Sequence, residues 1–138
     1  MRVGAVLAAV LCLGVLRLPV LAHHSTSSMY DESRTIEVSG KILEWRFVNP
    51  HPTLMVEVTG SDGKTENWDL SFGGLAVSHM RRQGYTPQTF KAGEVIKARG
   101  NPARSETSRG LLVRGGITRP DGTPVLGSNT ARQGPARE

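Results

Sequence analysis

The sequence predicts an all-β fold with one short helix, arranged as a small OB-like barrel. After position 34, apolar residues alternate with polar ones through several segments, which is the period of a half-buried strand. One helix-like segment follows the third strand, and the order strand-strand-strand-helix-strand-strand is typical of an OB barrel. The alternative arrangement is an open β-sandwich with a surface helix.

The first predicted strand, residues 34–48, is long enough to serve both halves of a closed barrel. In its first half the apolar residues occupy even-numbered positions, and in its second half they occupy odd-numbered ones. They are Ile36, Val38 and Ile42, then Leu43, Trp45 and Phe47. A strand changes its apolar face in this way at a β-bulge or a strong coil. We place the change at Gly40, because glycine accommodates it most easily.

The next two strands form a predicted hairpin. Pro50 and Pro52 end the first strand, because proline lacks an amide donor and restricts the residue before it. The inward faces of the second and third strands are Leu54, Val56 and Val58, then Trp68, Leu70 and Phe72. The residues 60–63, Gly-Ser-Asp-Gly, predict the turn between these strands.

A short helix is predicted over residues 75–83, before the last strands. Gly84 is a suitable C-cap, and Arg81 and Arg82 lie favourably at the negative end of the helix dipole. Beyond the helix the pattern predicts a turn at 91–94, a fourth strand at 95–99, a loop at 101–108, a fifth strand at 110–118 and a short sixth strand through Val125 and Leu126.

Residues 1–22 have the features of a secretory signal peptide. Arg2 precedes an apolar run over residues 3–16, which is shorter than the about 20 residues that a bilayer-spanning helix needs. We predict cleavage after Ala22 and hence a periplasmic or secreted protein with no membrane span after cleavage. The remaining chain divides into a polar arm at 23–33, the barrel domain at 34–126 and a disordered tail at 127–138.

Charge and cysteine content restrict the partners of the processed chain. Cys12 lies within the predicted signal, so disulfides and thiolate sites are excluded afterwards. The signal also takes Arg2 and Arg17 with it, so 15 of the 17 Lys and Arg residues remain against 12 acidic residues, a net charge of +3. This mild basicity favours anionic glycans, anionic lipids or no particular partner. Nucleic acid is not an expected partner, since export separates the protein from it.

Histidines at the predicted cleavage site indicate a metal site. After cleavage, His23 would offer its α-amino nitrogen and its ring Nδ1 in one chelate ring. An imidazole from His51, held between two prolines, would add a third nitrogen, and such a square-planar set suits Cu(II). We therefore predict a site for copper or another transition metal formed by His23, His24 and His51. A straight strand over 34–48 would span about 45 Å, so the arm would have to fold back over the barrel.

The simpler interpretation is that these histidines are polar surface residues and that His51 bonds its own turn. Aromatic residues of a barrel this small belong mainly in its core. Trp45 is the exception, because Glu44 and Arg46 beside it mark an exposed face. We predict Trp45, Asn49 and His51 as contacts for a ligand or a partner.

Catalytic motifs are not recognised in the sequence, so enzymatic activity is not supported. Neither a serine triad, nor a paired-carboxylate site, nor a phosphate-binding loop is visible. Arginines recur at five-residue intervals from Arg99 to Arg119, and since five is not a strand period they are interpreted mainly as solvated charge, with an anion-binding rim as the alternative.

Several short motifs resemble a family of small exported bacterial proteins, mostly from Gram-negative organisms, that is classified as a domain of unknown function. The motifs are His23-His24-Ser25, Tyr30-Asp31, Gly40-Lys41-Ile42, Trp45, Asn49-Pro50-His51, Trp68, Gly84-Tyr85 and Gly93-Glu94. The resemblance extends from His23 to about Leu126. It implies a periplasmic location and a compact β-barrel, and it implies no activity.

Two functional hypotheses follow. The first is a periplasmic binding module for an unknown small ligand, in its most specific form a copper ion held by the amino-terminal histidines. The second is a structural or protein-interaction domain of the cell envelope that contacts an envelope protein without metal. Converging histidine nitrogens would favour the first, and an exposed apolar patch around Trp45 would favour the second.

Overall fold

A computed structural model describes residues 26–126, and its five strands close into a barrel in the order β1-β2-β3-β5-β4. The elements are α1 (Thr26–Met29), β1 (Ile36–Arg46), β2 (Thr53–Thr59), β3 (Thr65–Ser71), α2 (Val77–Arg82), β4 (Val95–Pro102) and β5 (Gly110–Thr118). Neighbouring strands are antiparallel except β3 and β5, which run parallel. The predicted small all-β barrel with a short helix after its third strand is confirmed.

Some element bounds differ from those predicted. β4 extends to Pro102 because Asn101 and Pro102 pair with Leu112 and Leu111 of β5, so the predicted loop over 101–108 begins too early. The predicted sixth strand is reduced to an isolated bridge between Thr118 and Pro124. The single turn α1 was not predicted. Within residues 26–126 no helix has the length and apolar character needed to span a membrane.

β1 closes the barrel by pairing with β4 along its first half and with β2 along its second. Lys41 is the residue that pairs with both neighbours. The register shift lies between Ile42 and Glu44, so the predicted position of the bulge at Gly40 is wrong. Leu43 is the extra residue. Even-numbered positions face the core before it, and odd-numbered positions face the core after it.

Gly40 has a different role, because β2 approaches β1 closely at that position. A Cβ atom on Gly40 would lie 2.6 Å from the carbonyl oxygen of Glu57 and 3.0 Å from Cγ2 of Val58. Such contacts are shorter than van der Waals separation, so the two strands would have to move apart. Glycine is therefore required by the strand crossing and not by the bulge.

The barrel interior is packed with aliphatic side chains, and an aromatic group covers one end. The buried members of the main cluster are Val38, Ile42, Leu54, Val56, Leu70, Phe90, Ile96, Ala98, Leu111 and Ile117. A second cluster joins Phe47 to Val77 and Met80 of α2. Trp45 packs against both clusters, so the helix and the barrel share one continuous core.

The segment before β1 folds back along β4. Tyr30, 9 % exposed, forms a bridge with Ala103, and the amide of Asp31 donates to the carbonyl oxygen of Pro102. Asn101, 6 % exposed, donates from Nδ2 to the carbonyl oxygen of Arg34 at 2.6 Å. Residues 26–35 are thus packed on the barrel. The predicted signal and tail, 1–22 and 127–138, lie outside the described residues.

We expect Gly40→Ala to destabilise the fold. The added methyl group meets backbone atoms of β2, and overpacking of this kind costs about 1–3 kcal/mol. For a domain of about 100 residues that corresponds to a fall in Tm of about 10 °C, measured by thermal unfolding. Ser39→Ala, at the exposed neighbouring position, is the control and should leave Tm nearly unchanged. An unchanged Tm for Gly40→Ala would contradict the close approach.

Candidate functional site

The loop between β1 and β2, residues 47–52, is anchored at both ends and exposed at its tip. Phe47 is 9 % exposed and Pro52 is fully buried, whereas Val48 is 53 % exposed. Asn49 and His51 are also exposed, and the Asn49–Pro50 peptide bond is cis. The loop therefore presents a short tip from a fixed base.

Trp45 packs against the base of this loop. Its ring lies 5.3 Å from that of Phe47, 5.7 Å from that of Phe72 and 5.0 Å from that of Phe90 between centroids. Its indole N–H donates to the carbonyl oxygen of Thr86 at 2.9 Å. Trp45 is half-buried, and these contacts give it a structural role; its predicted role as a partner contact stays a prediction.

α2 and the turn that precedes it lie beside the loop through two contacts. The guanidinium carbon of Arg81 lies 5.8 Å from the centroid of the Phe47 ring, a cation–π distance. The ring of His51 lies over Gly74, where a Cβ atom would be 3.8 Å from Cε1 of the histidine. Loop and helix therefore form one surface, and Trp45, Asn49 and His51 all lie in or beneath it.

Exposed basic side chains and one exposed valine lie on this surface, which we call the cationic end. It consists of the exposed side chains of Val48, His51, His79, Arg81 and Arg82. Residues 45–56 and 70–93 contain no Asp or Glu. Arg46, at the end of β1, is paired with Glu44, whose Oε1 lies 3.6 Å from its Nε, so it is not counted in this surface.

Sequence reasoning did not assign His79, Arg81 and Arg82 to the site. The two arginines were explained by the helix dipole alone. Residues 95–105 and 107–120 also lack Asp and Glu and carry six other cations, so the absence of acidic residues alone would not have identified the site.

Several cations elsewhere in the described chain have acidic partners. Arg109 donates two hydrogen bonds to Glu66, at 2.6 and 2.8 Å, and these hold the pKa of Glu66 below its usual value. Arg114 donates to Glu32 at 3.2 Å, and Lys41 pairs with Glu57 at 2.9 Å. These pairs join loops and strands that are distant in sequence.

The predicted copper site is not assembled by the described residues. His23 and His24 lie outside them, and residues 26–126 contain no group of three or more His, Cys, Asp or Glu side chains placed to hold a metal ion. The arm contacts Ala103 beside the start of β1, whereas His51 follows the end of β1. Convergence of the three histidines stays a prediction.

Asp69 is the carboxyl group with the most unusual environment on the barrel wall. It lies on β3 opposite Met55 of β2, and its amide donates to the carbonyl oxygen of Arg109. Although the residue is exposed overall, desolvation of its carboxyl group raises the pKa of Asp69 above its usual value. The ionised form is therefore less stable in the folded chain than in the unfolded one.

The strand order, the parallel β3–β5 pair and the helix between β3 and β4 define a small five-stranded barrel of the OB-like class, with an anchored loop at one end. A family model described as a family of unknown function, DUF6152, matches residues 9–114. The chain belongs to that family. No curated protein matches it.

We expect Asp69→Asn to stabilise the domain at pH 7. A raised carboxyl pKa means that stability is greatest below the unfolded-state pKa and decreases as the pH rises through the folded-state pKa. The amide cannot ionise, so the variant should have a small increase in Tm at neutral pH. It should have none in acid, where the Asp69 carboxyl of the parent protein is protonated in both the folded and the unfolded state. Thermal unfolding at several pH values measures this. A gain in Tm that is the same at every pH would contradict desolvation as the cause.

Proposed function

We propose that this chain is an exported envelope protein that acts as a binding module through its cationic end. The observation that carries the proposal is the anchored loop 47–52, which has an exposed tip and contacts Arg81 of α2 through Phe47 at its base. A loop held by a rigid scaffold is a common position for binding residues. Export is supported by the apolar leader over residues 1–22.

The position of the loop on the barrel supports the same proposal. The loop between the first two strands is one of those that bind ligands in OB barrels, an argument by analogy of fold. Asn49 and His51 supply polar groups at the tip, and Trp45 with Phe47 keeps the base in place. A partner protein of the envelope would use the same exposed residues and remains the alternative occupant.

A copper ion is a second candidate ligand. It is supported by the adjacent His23 and His24 at the predicted new amino terminus, where an α-amino group and an imidazole would form one chelate. His51 is an exposed imidazole in a loop with two prolines, so it could supply a further nitrogen. This candidate depends on cleavage after Ala22.

We expect ligands of this module to perturb one surface of the barrel. The exported protein, labelled with ¹⁵N, is titrated separately with Cu(II), a soluble polyanion and small anions while amide chemical shifts are recorded. At least one probe should shift residues 47–52 and 77–82, because these form the proposed site. The hairpin 60–64 at the other end of β2 is the internal control. Shifts confined to other regions, or none with any probe, would contradict the proposal.

The copper candidate has a sharper test. Cu(II) should bind the exported protein tightly and show nitrogen hyperfine structure in electron paramagnetic resonance. One additional alanine before His23 should abolish that signal, and His51→Ala should weaken it, because each removes a nitrogen ligand. Equally weak binding by the extended and unextended proteins would exclude this site while leaving other ligands open.

A further inference from the structure

The cations of the cationic end are spread over a surface and do not converge on one point. Arg81 lies against the ring of Phe47, whereas Nη2 of its neighbour Arg82 lies 3.3 Å from Nδ1 of His79. The two guanidinium groups therefore have different neighbours. A small anion is bound by donors that converge on it, so this arrangement fits an extended array of negative charges better.

The groove next to α2 leads to the same conclusion. It has a volume of about 370 Å³ and is lined by Arg81 and residues 84–88. Among these lining residues, all within the described part of the chain, Arg81 is the one with a charge. A bound phosphate group would obtain a single guanidinium there, which is a weak site for a small free anion.

An exposed aliphatic side chain stands within the charged surface. Val48 is 53 % exposed at the tip of the loop. It is next to Phe47, whose ring centroid lies 5.8 Å from the guanidinium carbon of Arg81. Aliphatic groups that enter a headgroup layer, with basic residues around them, are the pattern by which proteins lie on anionic membranes. A purely ionic partner would not need the exposed valine.

We propose that the cationic end docks the domain on an anionic lipid surface. The phosphates of the headgroups would contact Arg81 and Arg82, and Val48 would enter between the headgroups. This inference rests on the proposed function, since it specifies the partner of the same end. Attachment is peripheral and reversible, because a few basic residues and one small aliphatic tip supply it.

The size of the effect follows from the charges. A basic residue close to an anionic leaflet strengthens binding by about fivefold. Loss of Arg81 and Arg82 together should therefore weaken binding by about twentyfold or more. The interaction decreases as salt shortens the screening length.

The experiment measures co-sedimentation of the exported protein, its first residue identified by mass spectrometry, with vesicles of phosphatidylcholine with or without phosphatidylglycerol. We expect binding to the anionic vesicles, little binding to the neutral ones, and release by salt. The double variant Arg81→Gln/Arg82→Gln should lose binding by about twentyfold. Val48→Ser should weaken it with no change in charge.

The matched control is Lys64→Gln/Arg99→Gln, which removes the same charge from exposed positions away from the cationic end. It should retain nearly full binding, and thermal unfolding of all variants verifies that they are folded. Equal losses in the two double variants would show that net charge alone is responsible and would overturn the proposal.

Further outcomes separate this inference from the proposed function. Inorganic phosphate or glycerol 3-phosphate that releases the protein at low concentration would indicate a site for the free anion and overturn the lipid proposal. If anionic vesicles do not bind while another probe shifts residues 47–52, the lipid proposal fails and the binding module stands. If anionic vesicles do not bind and no probe shifts residues 47–52, the lipid proposal and the binding-module proposal are both contradicted.

Discussion

The structure depends on the way in which β1 pairs with two neighbours at once. Its first half must lie against β4 and its second half against β2, and Lys41 pairs with both. Close approach at Gly40 and the extra residue Leu43 make this possible. Without the change of parity after Leu43, the ring of Trp45 would face solvent, and the end of the barrel would have no aromatic packing.

The geometry of the candidate site is a consequence of that packing. Trp45 touches the ring of Phe47, which is buried at the base of the loop, and Arg81 lies over the same ring. Trp45 and Phe47 thereby connect the core of the barrel to the exposed guanidinium of Arg81. The loop keeps its position because the residues that carry it belong to the core, while its exposed residues remain free to differ in chemistry.

Local patterns were sufficient for the strands, and contacts distant in sequence were not predictable. Alternation identified the inward faces of β2 and β3, and the change of parity indicated a bulge in β1. Its position at Leu43 depends on the register with β2, which a single strand does not contain. The role of Gly40 depends likewise on the carbonyl group of Glu57. The arginines interpreted as solvated charge include Arg109 and Arg114, whose partners are Glu66 and Glu32. Nothing near them in sequence indicates those pairs.

Charge on this domain is distributed unevenly, and its distribution matters more than its sum. Acidic residues are interspersed with basic ones on the arm and the barrel wall, where ion pairs join separate segments. Residues 45–56 and 70–93, which lack acidic residues, are brought together by the contact of Arg81 with Phe47 and of His51 with Gly74. A small net charge therefore coexists with a local excess of positive charge at one end. Because electrostatic attraction is screened within about 10 Å in ordinary salt, a partner at that end responds to the local excess and hardly to the acidic groups elsewhere.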